Sequence, residues 1–400
     1  MTEAPALPWY LRREGEFDSA ALRAHDQDGG IARVTTPNGV EAWLVTRLAD
    51  VREVLADAHR FSNVIPLPLA SRIQGQELTP AQLRLNRAGN LLSADPPDHT
   101  RLRRLLTPFF TVRRMRRLEP RIAEIVTAHL DAMERSGPPV DLVEAFALPV
   151  PSLVICELLG VPYDDRGDFQ RLANRLLDLS LAPRERSQAF LDSRAYLGTL
   201  VDRARVEPWP GILGDLVREH GDDLSREELA GIGNLLLIAG HETTANMLGL
   251  GTLALLRHPE QLRLVRDHPE RVEAAVEELL RWLGIVTTAF SRVTTEPVVL
   301  GEQSIPAGEL VLACLPAANR DPDLPHPDVL DVTRGAIGHL AFGHGLHHCL
   351  GAPLARMEMR LAFPALLRRF PDLHLAETEA PVVLRTASVV HGVTSLLVAW

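Results

Sequence analysis

Residues 341–351 read AFGHGLHHCLG, from Ala341 to Gly351. Three histidines (His344, His347, His348) and one cysteine, Cys349, fall within six residues, held between Gly343, Gly345 and Gly351. Neighbours in sequence rarely converge on one tetrahedral ion, and structural zinc sites draw ligand pairs from separated segments. The cluster is therefore a poor zinc knot, and a C-x-x-C-H haem-attachment sequence is absent. The glycines let the backbone turn tightly and approach a flat surface. Pro353 and the run LARMEMRLAFPALLRRF predict a helix that begins just after the cysteine. Cys349 then lies near a helix N-terminus, where the dipole and free N–H groups favour a thiolate. A backbone-bonded thiolate beside a flat surface is the arrangement that ligates the iron of a haem-thiolate centre.

Working outward, one upstream segment predicts a long helix. Ser225 and Glu228 form a capping box, and apolar residues run from there to Arg257, where His258-Pro259 stops the pattern. At 1.5 Å per residue such a helix is roughly 50 Å long, and its apolar faces require it to cross the middle of the molecule. Its centre reads AGHETT, Ala239 to Thr244. Ala239 and Gly240 permit a flat partner to approach the backbone, or equally mark a crossing point between helices. The Thr243 hydroxyl can bond the Ala239 carbonyl four residues back and loosen the ladder locally.

Two further constellations stand out. Glu278 and Arg281, three apart within VEAAVEELLRW, are helix neighbours able to pair, and their apolar flanks suggest burial. Asp95–Arg104 reads DPPDHTRLRR, with Pro96-Pro97 at a turn and Asp98 or Thr100 expected to cap a helix. His99 and Arg103 share one face of that helix. From Arg101 to Arg121 there are eight arginines against one acid, Glu119. The patch reads either as a solvated basic face or as a site for carboxylates with an acidic protein partner outside.

The remaining totals bound the answer. The 400 residues carry 46% hydrophobic content and a net charge of −10, which argues for a globular chain and against a nucleic-acid binder. No lysine occurs, which excludes lysine Schiff bases and a P-loop lysine. Cys156, Cys314 and Cys349 are too few and too scattered for a disulfide framework. No apolar run approaches the roughly 18 residues that span a bilayer, and the first residues lack a signal pattern, so a cytoplasmic protein is expected. Strand-like runs at Val40–Val45, Val293–Leu300, Leu310–Leu315 and Thr394–Ala399 accompany a mostly helical chain that includes Leu48–Ala56. The expected fold is mainly α with minor β, in one domain over residues 1–400.

At this point the motifs resemble a known family. Phe342-Gly343-His344-Gly345-Leu346-His347-His348-Cys349-Leu350-Gly351 resembles the cytochrome P450 signature F-G-x-G-x-R/H-x-C-x-G. Ala239–Thr243 resembles its oxygen-activating A-G-x-E/D-T segment. Glu278 and Arg281 resemble its E-x-x-R pair, and Asp331–Arg334 the segment that adds a third member, Arg334. Asp331-Val332-Thr333-Arg334 lacks the commoner aromatic and proline near that point. The wording LLLIAGHETTANMLG looks like the bacterial, actinomycete class.

The resemblance implies a triangular-prism-like fold with a long helix over haem b. It implies Cys349 as the axial thiolate and His99, Arg103, Arg292 and His347 as propionate contacts. Ala239, Gly240, Phe342 and Gly343 would lie against the ring. Thr243, aided by Glu242, would deliver protons for a haem monooxygenase that inserts one oxygen atom into a C–H or C=C bond. The intact acid–threonine pair argues against a peroxide-driven peroxygenase, and the full cysteine signature against an inactive accessory protein. An acidic ferredoxin, itself served by a ferredoxin reductase, would dock on Arg104, Arg113, Arg114, Arg116 and Arg117. Leu92, Leu236, Ala239, Ile285, Val286, Ala289 and Val389 would line a pocket for a hydrophobic molecule of bacterial secondary metabolism. A monomer is expected, with neither nucleic acid nor membrane as a partner.

Overall fold

The structure, a computed structural model, describes residues 8–24, 29–161, 167, 171–172, 181, 183–207, 209–286, 290–335, 338–377, 382–385 and 390–400. In chain order, the elements that position the site begin with strands β1 (Ile31–Thr35) and β2 (Glu41–Val45), helix α1 (Leu48–Ala56) and strand β3 (Phe61–Ser62). Helices α2 (Asp98–Leu106), α3 (Val112–Ser136), α4 (Pro149–Leu159) and α5 (Pro183–Val206) follow. Next come α6 (Arg226–Arg257), α7 (Val272–Leu283), strands β4 (Phe290–Thr294) and β5 (Leu310–Ala313), and helix α8 (Ala352–Arg369).

The long helix forms where its signals place it. Ser225 Oγ accepts the Glu228 N–H at 3.1 Å, and the Glu228 carboxylate accepts the Ser225 N–H at 3.0 Å. Pro259 opens the next helix and so ends this one. The 32 residues between are buried along nearly the whole length, because α4, α5 and α8 pack around them. Such surroundings explain a helix that is apolar on every side rather than along one stripe.

The sheet has the order β1-β2-β5-β4-β3. β5 runs parallel to β2 (Leu310 beside Ala42) and antiparallel to β4 (Leu310 beside Val293). Both faces are covered, and side-chain alternation sorts the residues between two clusters. Leu310 and Leu312 of β5 join Ala42, Leu44 and Val293 on one face, whereas Val311 and Ala313 join Val45, Val54 and Phe61 on the other. Together the elements form the mainly α fold with minor β that was expected.

Three strand expectations change. Val293–Leu300 divides into β4 and Val298–Leu300, with Pro297, which has no N–H to give a ladder, between them. Leu310–Leu315 ends at Ala313, because Pro316 starts a short helix at Leu315–Ala318. Thr394–Ala399 becomes Val393–Ser395 and Leu397–Ala399, which pair with different strands. Asp98 and Thr100 do not cap α2: Pro97 holds the cap position with no side-chain bond. No helix among the described residues is long and apolar enough to cross a membrane.

Candidate active site

The cysteine loop is a turn forced by two glycines. Gly343 and Gly345 sit at φ +73° and +69°, which L side chains rarely adopt. A Cβ on Gly345 would fall 2.6 Å from the Leu55 carbonyl oxygen, so the end of α1 presses directly on the loop. Gly351, by contrast, has an ordinary φ of −81°. The Cys349 N–H closes the turn by donating to the Phe342 carbonyl at 2.8 Å, and α8 begins three residues later.

Cys349 is exposed, yet desolvation by its surroundings pushes its thiol up. Exposed surface within dense surroundings means that the sulfur lines an internal cleft. The Gly351 N–H, the Arg103 charge, the Ala352 N–H and the Arg356 charge oppose that shift without overcoming it. The N–H groups at the start of α8 thus favour the thiolate, as the sequence predicts, while burial works against it. A metal cation on the sulfur would supply what is lacking.

Four donors from three parts of the fold converge beside this loop. His99 lies on the first turn of α2, Arg103 one turn further, Arg292 on β4 and His347 in the loop itself. The His99 and His347 rings are 4.2 Å apart. Arg103 Nη1 donates to the His348 carbonyl at 2.7 Å, which ties α2 to the cysteine loop. Burial lowers the pKa of all four; His347 falls to about 3, with His99, Arg292 and Arg103 adding to the shift against Asp95, and Arg292 falls to about 10. Both nitrogens of His99, Nδ1 of His347 and Nη2 of Arg292 are buried with no hydrogen-bond partner among the described residues. Donors stranded in this way each cost about 1–3 kcal/mol. A group bearing carboxylates would satisfy them together, so these residues fit the two propionates of a haem.

On α6, Ala239 is exposed although it lies midway along a buried helix. Of the two roles open to Gly240, the packing favours a crossing between helices. A Cβ there would meet Ile155 Cδ1 at 2.8 Å, so the missing side chain admits α4 rather than a flat ligand. Thr243 Oγ1 donates to the Ala239 carbonyl at 2.7 Å, as its spacing predicts. Glu242 is buried and paired with Arg385 from the C-terminal segment. Burial raises the Glu242 pKa, and the Arg385 charge and hydrogen bond only partly offset it. Leu92 is exposed, Val286 is half-buried, and Leu236 and Ile285 are buried within the main core. Ala289 and Val389 lie outside the described residues.

Beneath the loop, the Glu278 carboxylate accepts Arg281 Nε at 2.7 Å and Nη2 at 2.8 Å, Arg334 Nε at 3.2 Å and the Asp331 N–H at 3.0 Å. Arg334 thus joins the pair although its flanking residues depart from the family's usual ones. Arg281 also donates to the Asn319 carbonyl, and Asn319 Oδ1 accepts the Leu340 N–H at 2.6 Å, which links the network to the cysteine loop.

Sequence reasoning missed a second network, centred on Glu277. Arg356 grips its carboxylate with two bonds of 2.7 Å, and His339 Nε2 lies 3.1 Å away. Burial alone would raise the Glu277 pKa; Arg356 and His339 outweigh it and hold the carboxyl at about 2. The Arg356 guanidinium also stacks 4.5 Å from the Phe342 ring centre, which occupies one side of that half-buried ring. Arg385 was missed too. Its only signal is a charge in an apolar C-terminal stretch.

Of the five arginines expected on the outer face, Arg104, Arg113, Arg116 and Arg117 are exposed and carry no ion pair among the described residues. Arg114 is the exception. Its guanidinium lies 2.5 Å from the Asp215 carboxylate and over the Phe109 ring, so it binds the chain's own acid.

Comparison with known proteins agrees with this geometry. The family model described as Cytochrome P450 matches residues 212–391. Cytochrome P450 FAS1 of Rhodococcoides fascians is 48% identical over 396 residues, 98% of each chain. The Vitamin D(3) 25-hydroxylase of Pseudonocardia autotrophica is 44% identical over 381 residues, 94% of this chain and 91% of that one. The solved structure of P450 StaH from glycopeptide antibiotic A47934 biosynthesis superposes with a TM-score of 0.88 at 45% identity, covering 99% of this chain and 100% of that one.

Proposed function

This chain belongs to the cytochrome P450 family and is a haem monooxygenase, and from that premise we propose that Cys349 would ligate the iron and that His99, Arg103, Arg292 and His347 would hold the haem b propionates. The observation that carries this assignment is the set of buried, acceptorless donors beside an exposed thiol. Bound haem supplies the redox chemistry by which one atom of O2 enters the substrate and the other leaves as water.

The chain's own residues handle charge, orientation and protons. Four donors fix the ring's carboxylate edge, each bond strengthened by low local dielectric. The Gly351 and Ala352 N–H groups temper the sulfur's charge. The Thr243 hydroxyl spends its hydrogen on the Ala239 carbonyl, which leaves the Oγ1 lone pairs open to accept a hydrogen bond. Glu242, with its carboxyl raised by burial and one oxygen held by Arg385, would be the group that holds the proton to be delivered.

We further propose that the substrate is a hydrophobic small molecule of bacterial secondary metabolism, hydroxylated or epoxidised. The apolar character of Leu92, Ala239 and Val286 supports this, as does the similarity to a hydroxylase and to an enzyme of antibiotic biosynthesis. Electrons would come from an acidic ferredoxin docked on Arg104, Arg113, Arg116 and Arg117, on a chain acting as one domain, monomeric and cytoplasmic. The test is spectroscopic: reduced, carbon monoxide-treated protein is expected to show the red-shifted Soret band of thiolate-ligated haem, and Cys349→Ser to lose it. Folded, haem-loaded wild type without that band would overturn the assignment of Cys349.

A further inference from the structure

His347 is assigned above to a haem propionate. Resting on that reading, we propose that Asp95, acting through Asn63, fixes the His347 imidazole with its hydrogen on Nδ1. Neither Asp95 nor Asn63 touches the cofactor in this scheme; both are positioning residues.

Asn63 follows strand β3, whose pairing with β4 brings it beside Arg292 and the cysteine loop. It is buried. Its amide nitrogen Nδ2 lies 3.2 Å from Asp95 Oδ1 and 2.8 Å from His347 Nε2. An amide nitrogen carries two hydrogens and accepts none, so both contacts are donations. The orientation of the amide is decided by Asp95. Exchanging the amide oxygen and nitrogen would face an oxygen against a carboxylate with no hydrogen between them, which is repulsive. Asp95 is itself held, accepting from Ser62 Oγ at 2.5 Å and from the Asn63 N–H at 3.0 Å.

Because Nδ2 donates, His347 Nε2 must be the accepting, unprotonated nitrogen. The hydrogen of the neutral ring then resides on Nδ1. That atom is buried and finds no acceptor among the described residues. A free imidazole divides its hydrogen between the two nitrogens. Here a three-residue chain, Asp95 to Asn63 to His347, removes that freedom and presents a donor to an anion before the anion arrives. The principle is that of a ligand oriented by a partner behind it. Asp95 also accepts the His99 N–H through its backbone carbonyl at 2.9 Å, so one residue anchors two of the four donors.

The test uses haem-loaded protein as its reduced carbon monoxide complex, which is diamagnetic, with histidines labelled by nitrogen-15. His347 is assigned by the signal lost in His347→Gln. The expected result is a hydrogen on Nδ1 and an unprotonated Nε2. In Asn63→Leu, the hydrogen is expected to move toward Nε2, and haem transfer to an excess of apomyoglobin to quicken roughly tenfold. Glu273→Gln, at an exposed pair with Arg360 outside this chain of contacts, is expected to change neither readout. A hydrogen on Nε2 of His347 in the wild type overturns the proposal, as does an Asn63→Leu protein whose His347 pattern is unchanged. The two readings separate cleanly. Loss of the thiolate Soret band sinks the assignment of the haem site, whereas an intact band with the hydrogen on Nε2 sinks only the positioning chain.

Discussion

Replacing Glu278 by glutamine removes one charge and almost no volume, at the most buried ion network of the fold. The Glu278 side chain is 0% exposed, Arg281 1% and Arg334 9%. Four hydrogen bonds end on its two oxygens, three of them from guanidinium groups. Glutamine offers one accepting oxygen and sets an NH2 against an arginine, so two buried cations lose the only carboxylate they pair with among the described residues. Breaking a buried pair in this way costs about 3–5 kcal/mol, a large part of a net stability of about 5–15 kcal/mol. The effect reaches further than the pair. Arg281 also holds the carbonyls of Asn319 and Pro327, and Asn319 holds the cysteine loop at Leu340. Urea unfolding of haem-loaded protein, followed by tryptophan fluorescence and by Soret absorbance, reads both consequences. Glu273→Gln is the control, since Glu273 lies on the same helix as Glu278 and pairs with Arg360 of α8 at 78% and 35% exposure. That pair is worth about 0–1 kcal/mol. The reasoning fails if Glu278→Gln comes within about 1 kcal/mol of the control, a margin set by the same surface-pair range.

Thr243→Ala keeps the helix and removes the hydroxyl. Product formation is expected to fall about 100-fold at unchanged haem content, with hydrogen peroxide released per nicotinamide consumed rising to match; unchanged coupling would remove Thr243 from proton delivery. Glu277 makes stability depend on acid. Its folded pKa of about 2 lies below the ordinary 4.5, so its contribution is full above pH 4.5 and disappears as pH falls toward 2. By that linkage Glu277→Gln is about 3 kcal/mol less stable than wild type at pH 7, and urea midpoints should converge near pH 2; a gap independent of pH contradicts this. Reversing Arg116 and Arg117 to glutamate is expected to slow reduction by an acidic ferredoxin and to flatten its salt dependence. Stopped-flow rates at low and high salt measure both, and equal salt slopes in mutant and wild type would exclude that docking face.

Local features were written plainly in the sequence. The capping box at Ser225, the proline after His258 and the glycines of the cysteine loop each act through their own backbone, so a reader of residues can find them. The Thr243 bond to Ala239 belongs to the same class, because one helical turn contains both partners. Glu278 and Arg281 are also neighbours on one turn. Their burial is not, since it depends on the segment 319–334 folding over them.

The failures have the same physical origin. Gly240 left two readings open, room for a flat ligand or a crossing between helices, and only Ile155, 85 residues earlier in the chain, decides for the crossing. Arg114 looked like a free surface cation because Asp215 is 101 residues away. Sequence determined the helix-dominated architecture, the place of the thiol and the kinds of donor near it, because propensity, capping and glycine geometry act over a few residues. Tertiary structure alone decided which charges meet: Glu277 with Arg356 and His339, Glu242 with Arg385, and Asn63 between Asp95 and His347. Those contacts span 32 to 284 residues, a distance over which only packing, and no local rule, sets what a side chain touches.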